Sequence, residues 1–187
     1  GSITVSTKSN QTAIASGELI KEWKEADRNF YKYHIAQPSP FDWYVGSADY
    51  HVKTFKTSEM DVQILHDPKH YFNIDFYEKA VIDAITFVEQ NLGNFPFKSI
   101  KIAEIPYYQE AFYSSPGLIA ISEKEGWYAD HSALKEQAYI YQTMSSQIIK
   151  QWLYASLDIA NVQGANMLKN ALPEALALKV VEQSLGK

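Results

Sequence analysis

"NIDFYEKAVIDAITFVEQNLGN", residues 73–94, divides the chain into two kinds of sequence. Tyr77, Ala80, Val81, Ala84, Ile85 and Val88 recur at three- and four-residue spacing, which makes one apolar stripe on an α-helix. Asp75 with Glu78 offers a capping-box-like start. Gly93 offers a stop, because glycine closes a helix in the left-handed conformation without steric cost.

Upstream of this helix, residues 3–66 read as strands. "ITVST", "GELIKEWKE", "NFYKYHIA", "DWYVGSADYHVKTFK" and "MDVQILH" are rich in β-branched and aromatic residues that alternate with polar ones. "KSNQ", "EADRN" and "QPSP" are the turn signals between them, and "KEADRNF" predicts a hairpin. Downstream, "KSIKIAEIP" is a strand ended by Pro106, and "GLIAIS" is a shorter one. A second helix is predicted from near Ser132 to about Tyr154, with Tyr141, Met144, Ile148 and Trp152 on one face. "NMLKNALPEALALKVVEQSLG" is a third, in which Pro173 either starts the helix late or kinks it. The pattern is α+β: an all-β first third, then strand and helix mixed, then helices.

The 187 residues suffice for one medium domain, or for one domain plus a fragment. A hydrophobic share of 46% with 21% charged residues is ordinary for a globular chain, and 13 tyrosines suit strand-rich structure. The net charge of −5 comes without a basic patch, which argues against nucleic acid as a partner. Absence of cysteine excludes disulfides and thiolate metal sites. No run of 18 apolar residues occurs, so no membrane-spanning helix is expected within the chain. Gly1-Ser2 reads as a tag remnant, and the strand-like opening predicts a piece of a larger protein.

Histidines are the first place to look for a metal. His66 and His70 in "HDPKH" have the i, i+4 spacing of a helical metal pair, but Pro68 between them disfavours a continuous helix. They are therefore read as a strand end and a turn. His34, His51 and His131 stand alone in sequence and are read as surface or partly buried polar residues.

Two segments carry a resemblance. "AFYSSPGLIAISE" (111–123) matches the frame of an exopeptidase motif, G-x-M-E-N-x-G-L-I, with Gly117, Leu118 and Ile119 on its last three letters. "SSQIIKQW" (145–152) falls on a helix that elsewhere reads H-E-x-x-H-Q-W. The chain resembles the zinc aminopeptidases of the aminopeptidase N type, a gluzincin family. "QTAIASGELIKEW", "SADYHVK" and "ANVQGANML" are most similar to the aminopeptidase-like domain fused to certain bacterial ABC transporter permeases. The resemblance implies that residues 1–57 are the C-terminal part of a β-sandwich domain. Residues 58–187 would be a thermolysin-like domain truncated at its C-terminus.

What the resemblance implies for chemistry is loss. The two zinc histidines would stand at Ser146 and Lys150. Serine is a poor zinc ligand, and a lysine ammonium has no lone pair and places a positive charge where the cation belongs. The general-base glutamate becomes Gln147, which cannot take a proton from water at neutral pH. The third ligand falls on Asn170, or on Lys169 at the commoner family spacing, and the glutamate that would hold a substrate's amino group falls on Ser114. The family's catalytic tyrosine would lie beyond Lys187.

No catalytic residue, no zinc and no other cofactor is therefore expected. Lys150 is expected to pair with a carboxylate, Glu174 or Glu123, in the space of the missing metal, with Glu174 as a solvated helix residue the alternative. Tyr107, Tyr108 and Tyr113 are candidates to line a retained cleft and bind a peptide by strand addition. The expected function is an inactive, extracytoplasmic binding or scaffold domain of a bacterial inner-membrane ABC transporter permease, its partner being the rest of its own polypeptide. A hydrolase with an altered site and a free-standing peptide-binding module are the alternatives.

Overall fold

The structure is a computed structural model that describes residues 1–36, 43–95, 98–109, 112–128, 131, 133–157, 159–160 and 162–186, with Leu134 and Lys135 as backbone only. The expected turn at 37–40, the helix start at Ser132 and residues 110–111 of the tyrosine-rich segment lie outside the described residues. The fold is α+β with several sheets. It divides into two compact units, Gly1–Tyr71 with Phe97–Glu125, and Phe72–Pro96 with Gly126–Lys187.

Among the described residues, the ten strands all lie in the first unit. β1 (Ser2–Lys8), β4 (Arg28–His34) and β3 (Glu18–Glu25) form an antiparallel sheet in the order β1-β4-β3, and β2 (Thr12–Ala15) pairs with β5 (Val45–Ala48). β6 (His51–Thr57), β7 (Met60–His66), β8 (Ser99–Ile105), β10 (Leu118–Ser122) and β9 (Phe112–Ser115) form a five-stranded sheet in the order β6-β7-β8-β10-β9. Its three middle strands, β7, β8 and β10, are mutually parallel, and hairpins flank them on both sides.

The hairpin expected at "KEADRNF" is β3–β4, and Ala26 enters its two-residue turn at φ 52°. A positive φ in the first loop residue matches the right-handed twist of the flanking strands. The run expected as one strand over 42–56 is two, because β5 pairs with β2 whereas β6 pairs with β7 in another sheet. Thr57, where a domain boundary is expected, is the last residue of β6 and is joined to β7 by a two-residue turn.

β2 is the strand that the sequence did not reveal. Its residues are buried on both sides. Ala13 and Ala15 pack with Tyr31 and Tyr33 of β4, while Ile14 packs with Leu65, Ala103, Ile105, Leu118 and Ala120 of the five-stranded sheet. The chain then turns at Ser16-Gly17. Ser16 Oγ and Ser115 Oγ lie 2.7 Å apart, Gly17 N–H donates to the Pro116 carbonyl at 2.6 Å, and Gly17 sits at φ +90°. A Cβ at Gly17 would fall 2.5 Å from the His34 carbonyl oxygen.

Lys101, in the otherwise apolar run of β8, is only 3% exposed. Its Nζ donates to the Gly17 carbonyl at 2.8 Å and lies 4.9 Å from the centre of the Tyr33 ring. Burial pulls its pKa down to about 8, against the opposing pull of the Glu18 carboxylate.

Among the described residues the second unit holds the helices α1 (Ile74–Asn91), α2 (Leu134–Ser156) and α3 (Leu172–Leu185) and a π-helical turn at Met167–Ala171; another π-helical turn, Glu123–Trp127, lies where the chain passes from the first unit into the second. All six stripe residues of α1 are buried. Its start differs from the expected Asp75–Glu78 box. Asn73 is the N-cap without a side-chain cap bond, because its amide is spent elsewhere: Nδ2 donates to the Gly126 carbonyl and Oδ1 accepts from His131 N–H. Gly93 ends the helix at φ +126°, its N–H bonded to the Val88 carbonyl. Pro173 falls in the first turn of α3, which continues without a break from the π-helical turn Met167–Ala171, Ala171 itself being helical at φ −68° and ψ −37°, so the helical backbone does not start at the proline.

Two consequences can be measured. Gly17→Ala meets both the clash and the disfavoured φ, and a loss on the order of 3 kcal/mol is expected in denaturant unfolding. Lys101 holds its extra proton only below about pH 8 when folded, but up to ~10.4 when unfolded. Between those values the unfolded state binds more protons, so stability rises with pH. From pH 7 to 10 the native chain should gain roughly 2–3 kcal/mol relative to Lys101→Met, and a flat difference would contradict the burial argument.

Candidate functional site

On α2, Ser146 and Lys150 are one turn apart and both meet Glu174 at the start of α3. Ser146 Oγ donates to Glu174 Oε1 at 2.6 Å, and Lys150 Nζ lies 3.8 Å from the same oxygen. Ser146 is fully buried, and the Lys150 side chain is 17% exposed. Of the two carboxylates expected for Lys150, Glu174 is the one that meets it.

Neither expected third position supplies that carboxylate. Asn170 is exposed, and Lys169 contributes its backbone carbonyl to the Tyr154 hydroxyl at 3.3 Å. Glu174 does so four residues later, because the π-helical turn Met167–Ala171 and Pro173 place the first turn of α3 beside α2. Gln147 is 7% exposed and Gln151 3%, so the polar face of α2 is buried amide and hydroxyl rather than a solvated stripe. The donor set at this place is one hydroxyl, one ammonium and one carboxylate, and it does not fit a zinc ion.

The exopeptidase-motif position Ser114 lies in β9 opposite Ile119, half-buried. The three tyrosines separate. Tyr113 packs its ring against Tyr44 with centroids 5.0 Å apart. Tyr107 and Tyr108 sit in the turn closed by Gln109 N–H to the Pro106 carbonyl and are 55% and 84% exposed.

A cleft of about 280 Å³ opens in the first unit, walled by Tyr44–Tyr50, Asp67, Glu104–Pro106, Gln109 and Glu123. Tyr107, Tyr108 and Tyr113 are not among its lining residues. Glu104 is its most buried ionisable group, 4% exposed. Its Oε2 accepts the Asp67 amide at 2.8 Å, and its Oε1 meets His70 Nδ1 at 2.5 Å. Burial pushes the Glu104 carboxyl above the ordinary carboxylate range, while the Asp67 amide and His70 pull the other way. Glu123 Oε2 accepts the Tyr107 amide at 3.2 Å, and the Tyr50 hydroxyl donates to the Glu104 carbonyl at 2.8 Å.

The two histidines of "HDPKH" part company here. β7 ends at His66, whose Nδ1 contacts the Asp67 carbonyl at 2.7 Å and whose ring lies 5.3 Å from that of His51. Burial lowers the His66 pKa. The turn that follows, with His70 N–H on the Asp67 carbonyl, carries His70 across to Glu104. Reading these as strand end and turn is right, but it passes over the grouping of His70, Glu104 and Glu123, whose ligand atoms all lie within 4.8 Å of one another. One sequence signal did exist: a buried strand reading "SIKIAEI" carries two charges, and each needs a partner from elsewhere in the chain.

No protein-family model matches the chain, and no curated protein matches it.

The α2–α3 contact is testable by itself. Glu174→Ala leaves the buried Ser146 hydroxyl without its acceptor, and a cost of about 1–3 kcal/mol is expected. In a double-mutant cycle with Ser146→Ala the two losses should fall short of additivity by about 0.5–2 kcal/mol. Additive losses would mean that the hydrogen bond contributes nothing.

Proposed function

We propose that this chain is an aminopeptidase-like domain without peptidase activity, serving as a binding or scaffold module on the extracytoplasmic side of a bacterial ABC transporter permease. One observation carries the reading. Where the resemblance calls for a zinc ion between two histidines, Lys150 holds an ammonium and Ser146 a hydroxyl, both directed to Glu174. A positive charge at that place opposes a divalent cation by Coulomb repulsion, and the ammonium offers no lone pair. Gln147 beside them cannot act as a general base. The thermolysin-like and sandwich arrangements belong to this same proposal, and strands followed by a helical unit are compatible with them.

Binding rather than turnover is then the role left to the fold. β9 stands at one end of the order of the five-stranded sheet, with Tyr107 and Tyr108 exposed before it. An extended peptide adding to such an edge gains backbone hydrogen bonds and aromatic contact area. Among the described residues no helix is long and apolar enough to cross a membrane, so in this reading the spans belong to the rest of the parent polypeptide.

The expected result with a panel of aminoacyl p-nitroanilides, with and without added Zn²⁺, is no turnover above buffer. Zinc-dependent turnover that Gln147→Ala abolishes would instead favour a hydrolase with an altered site. The parent reading frame is expected to encode several apolar segments of about 20 residues. A parent with none would leave the free-standing peptide-binding module as the reading.

A further inference from the structure

We infer that His70, Glu104 and Glu123 form a binding site for one divalent first-row metal cation, Zn²⁺ or Mn²⁺, at the wall of the cleft in the first unit. This place is separate from the Ser146–Lys150–Glu174 contact, and the inference does not depend on the function proposed above.

The topology supplies the first argument. β7, β8 and β10 are adjacent and parallel, so their carboxyl ends lie along the same edge of the sheet. His70 comes just after the end of β7, Glu104 is the penultimate residue of β8, and Glu123 directly follows β10. The segments that leave these ends therefore bring together residues far apart in the chain. The cleft of about 280 Å³ has Glu104 and Glu123 in its wall. A volume of this size holds several waters at ~30 Å³ each, enough to complete a coordination shell.

Chemistry supplies the second. One imidazole nitrogen with two carboxylates is a mixed N/O donor set that suits zinc or manganese better than magnesium or calcium, which prefer oxygen alone. The ligand atoms lie within 4.8 Å of one another. Two ligands held at ~2.1 Å from a cation stand about 3.0–3.4 Å apart, depending on the angle. The His70–Glu104 contact of 2.5 Å opens by less than an ångström to reach that spacing, and Glu123, within 4.8 Å of both, closes by up to about 2 Å. Glu104 is also oriented in advance: the Asp67 amide fixes Oε2, which turns Oε1 toward His70. Such outer contacts are what hold metal-binding carboxylates in place.

The competing account is a plain ion pair in which His70 neutralises the buried Glu104. That account gives Glu123 no part, and this difference decides the test. The whole chain, stripped with EDTA and dialysed, is titrated calorimetrically with ZnCl₂ and separately with MnCl₂. One equivalent is expected to bind. Glu123→Gln and His70→Gln should each weaken it at least about tenfold, with circular dichroism confirming that both variants fold. Glu123 is half-exposed, so its variant keeps the test sound if the His70 variant does not fold. Lys150→Ala should leave the affinity unchanged. Absence of binding of either cation up to about 1 mM would overturn the inference, as would equal affinity in Glu123→Gln. Binding that survives Glu123→Gln but disappears with Ser146→Ala would place the cation on α2 and overturn both this site and the absence of zinc proposed there.

Discussion

The burial of β2 on both faces is the constraint from which the first unit follows. Four residues, Thr12–Ala15, present alanines to one sheet and an isoleucine to another. The fully buried residues of β2, Ala13–Ala15, are all apolar, and the small ones among them set how closely the layers approach. Where the chain leaves it, the tight geometry continues: Gly17 has a positive φ and no room for a Cβ, and a Cβ at Gly117, also at positive φ, would fall 3.2 Å from the Gly17 carbonyl oxygen. Serine hydroxyls and the Lys101 ammonium then satisfy polar groups that this packing removes from water.

β8 shows how two buried charges on one strand meet different ends. Lys101 is matched by a carbonyl, an aromatic face and a more distant carboxylate, a closed arrangement in which the ammonium is a structural pin. Glu104 is matched by an amide and an imidazole at the rim of a cleft, with a second carboxylate nearby. The first arrangement is complete as it stands. The second sets two carboxylates against one imidazole at the wall of an open cleft.

α2 departs from the usual economy of a buried helix in another way. Ser145, Ser146, Gln147 and Gln151 are all buried, and the cation that accompanies them is tied to a half-exposed glutamate. A helix packed between two others would be held more simply by apolar residues. The polar content therefore records a specific pairing with α3, in which one carboxylate oxygen serves both a hydroxyl and an ammonium.

The sequence by itself determined the parts governed by local periodicity and stereochemistry. The α1 stripe, the glycine stop at Gly93, the β3–β4 hairpin and the strands at 60–66 and 99–105 were all legible, because the spacing of apolar residues and the turn residues specify them within a few positions. Only the tertiary structure decided the rest. β2 is too short, and too fully buried, to show an alternation. His70 is four residues from His66 in the chain, yet its partners come from residues 104 and 123. The carboxylate facing Ser146 is Glu174 rather than the position reached by counting, because a π-helical turn and a proline reset the register before α3. Contacts between residues far apart in sequence carry no periodic signature, and the packing of whole elements sets them.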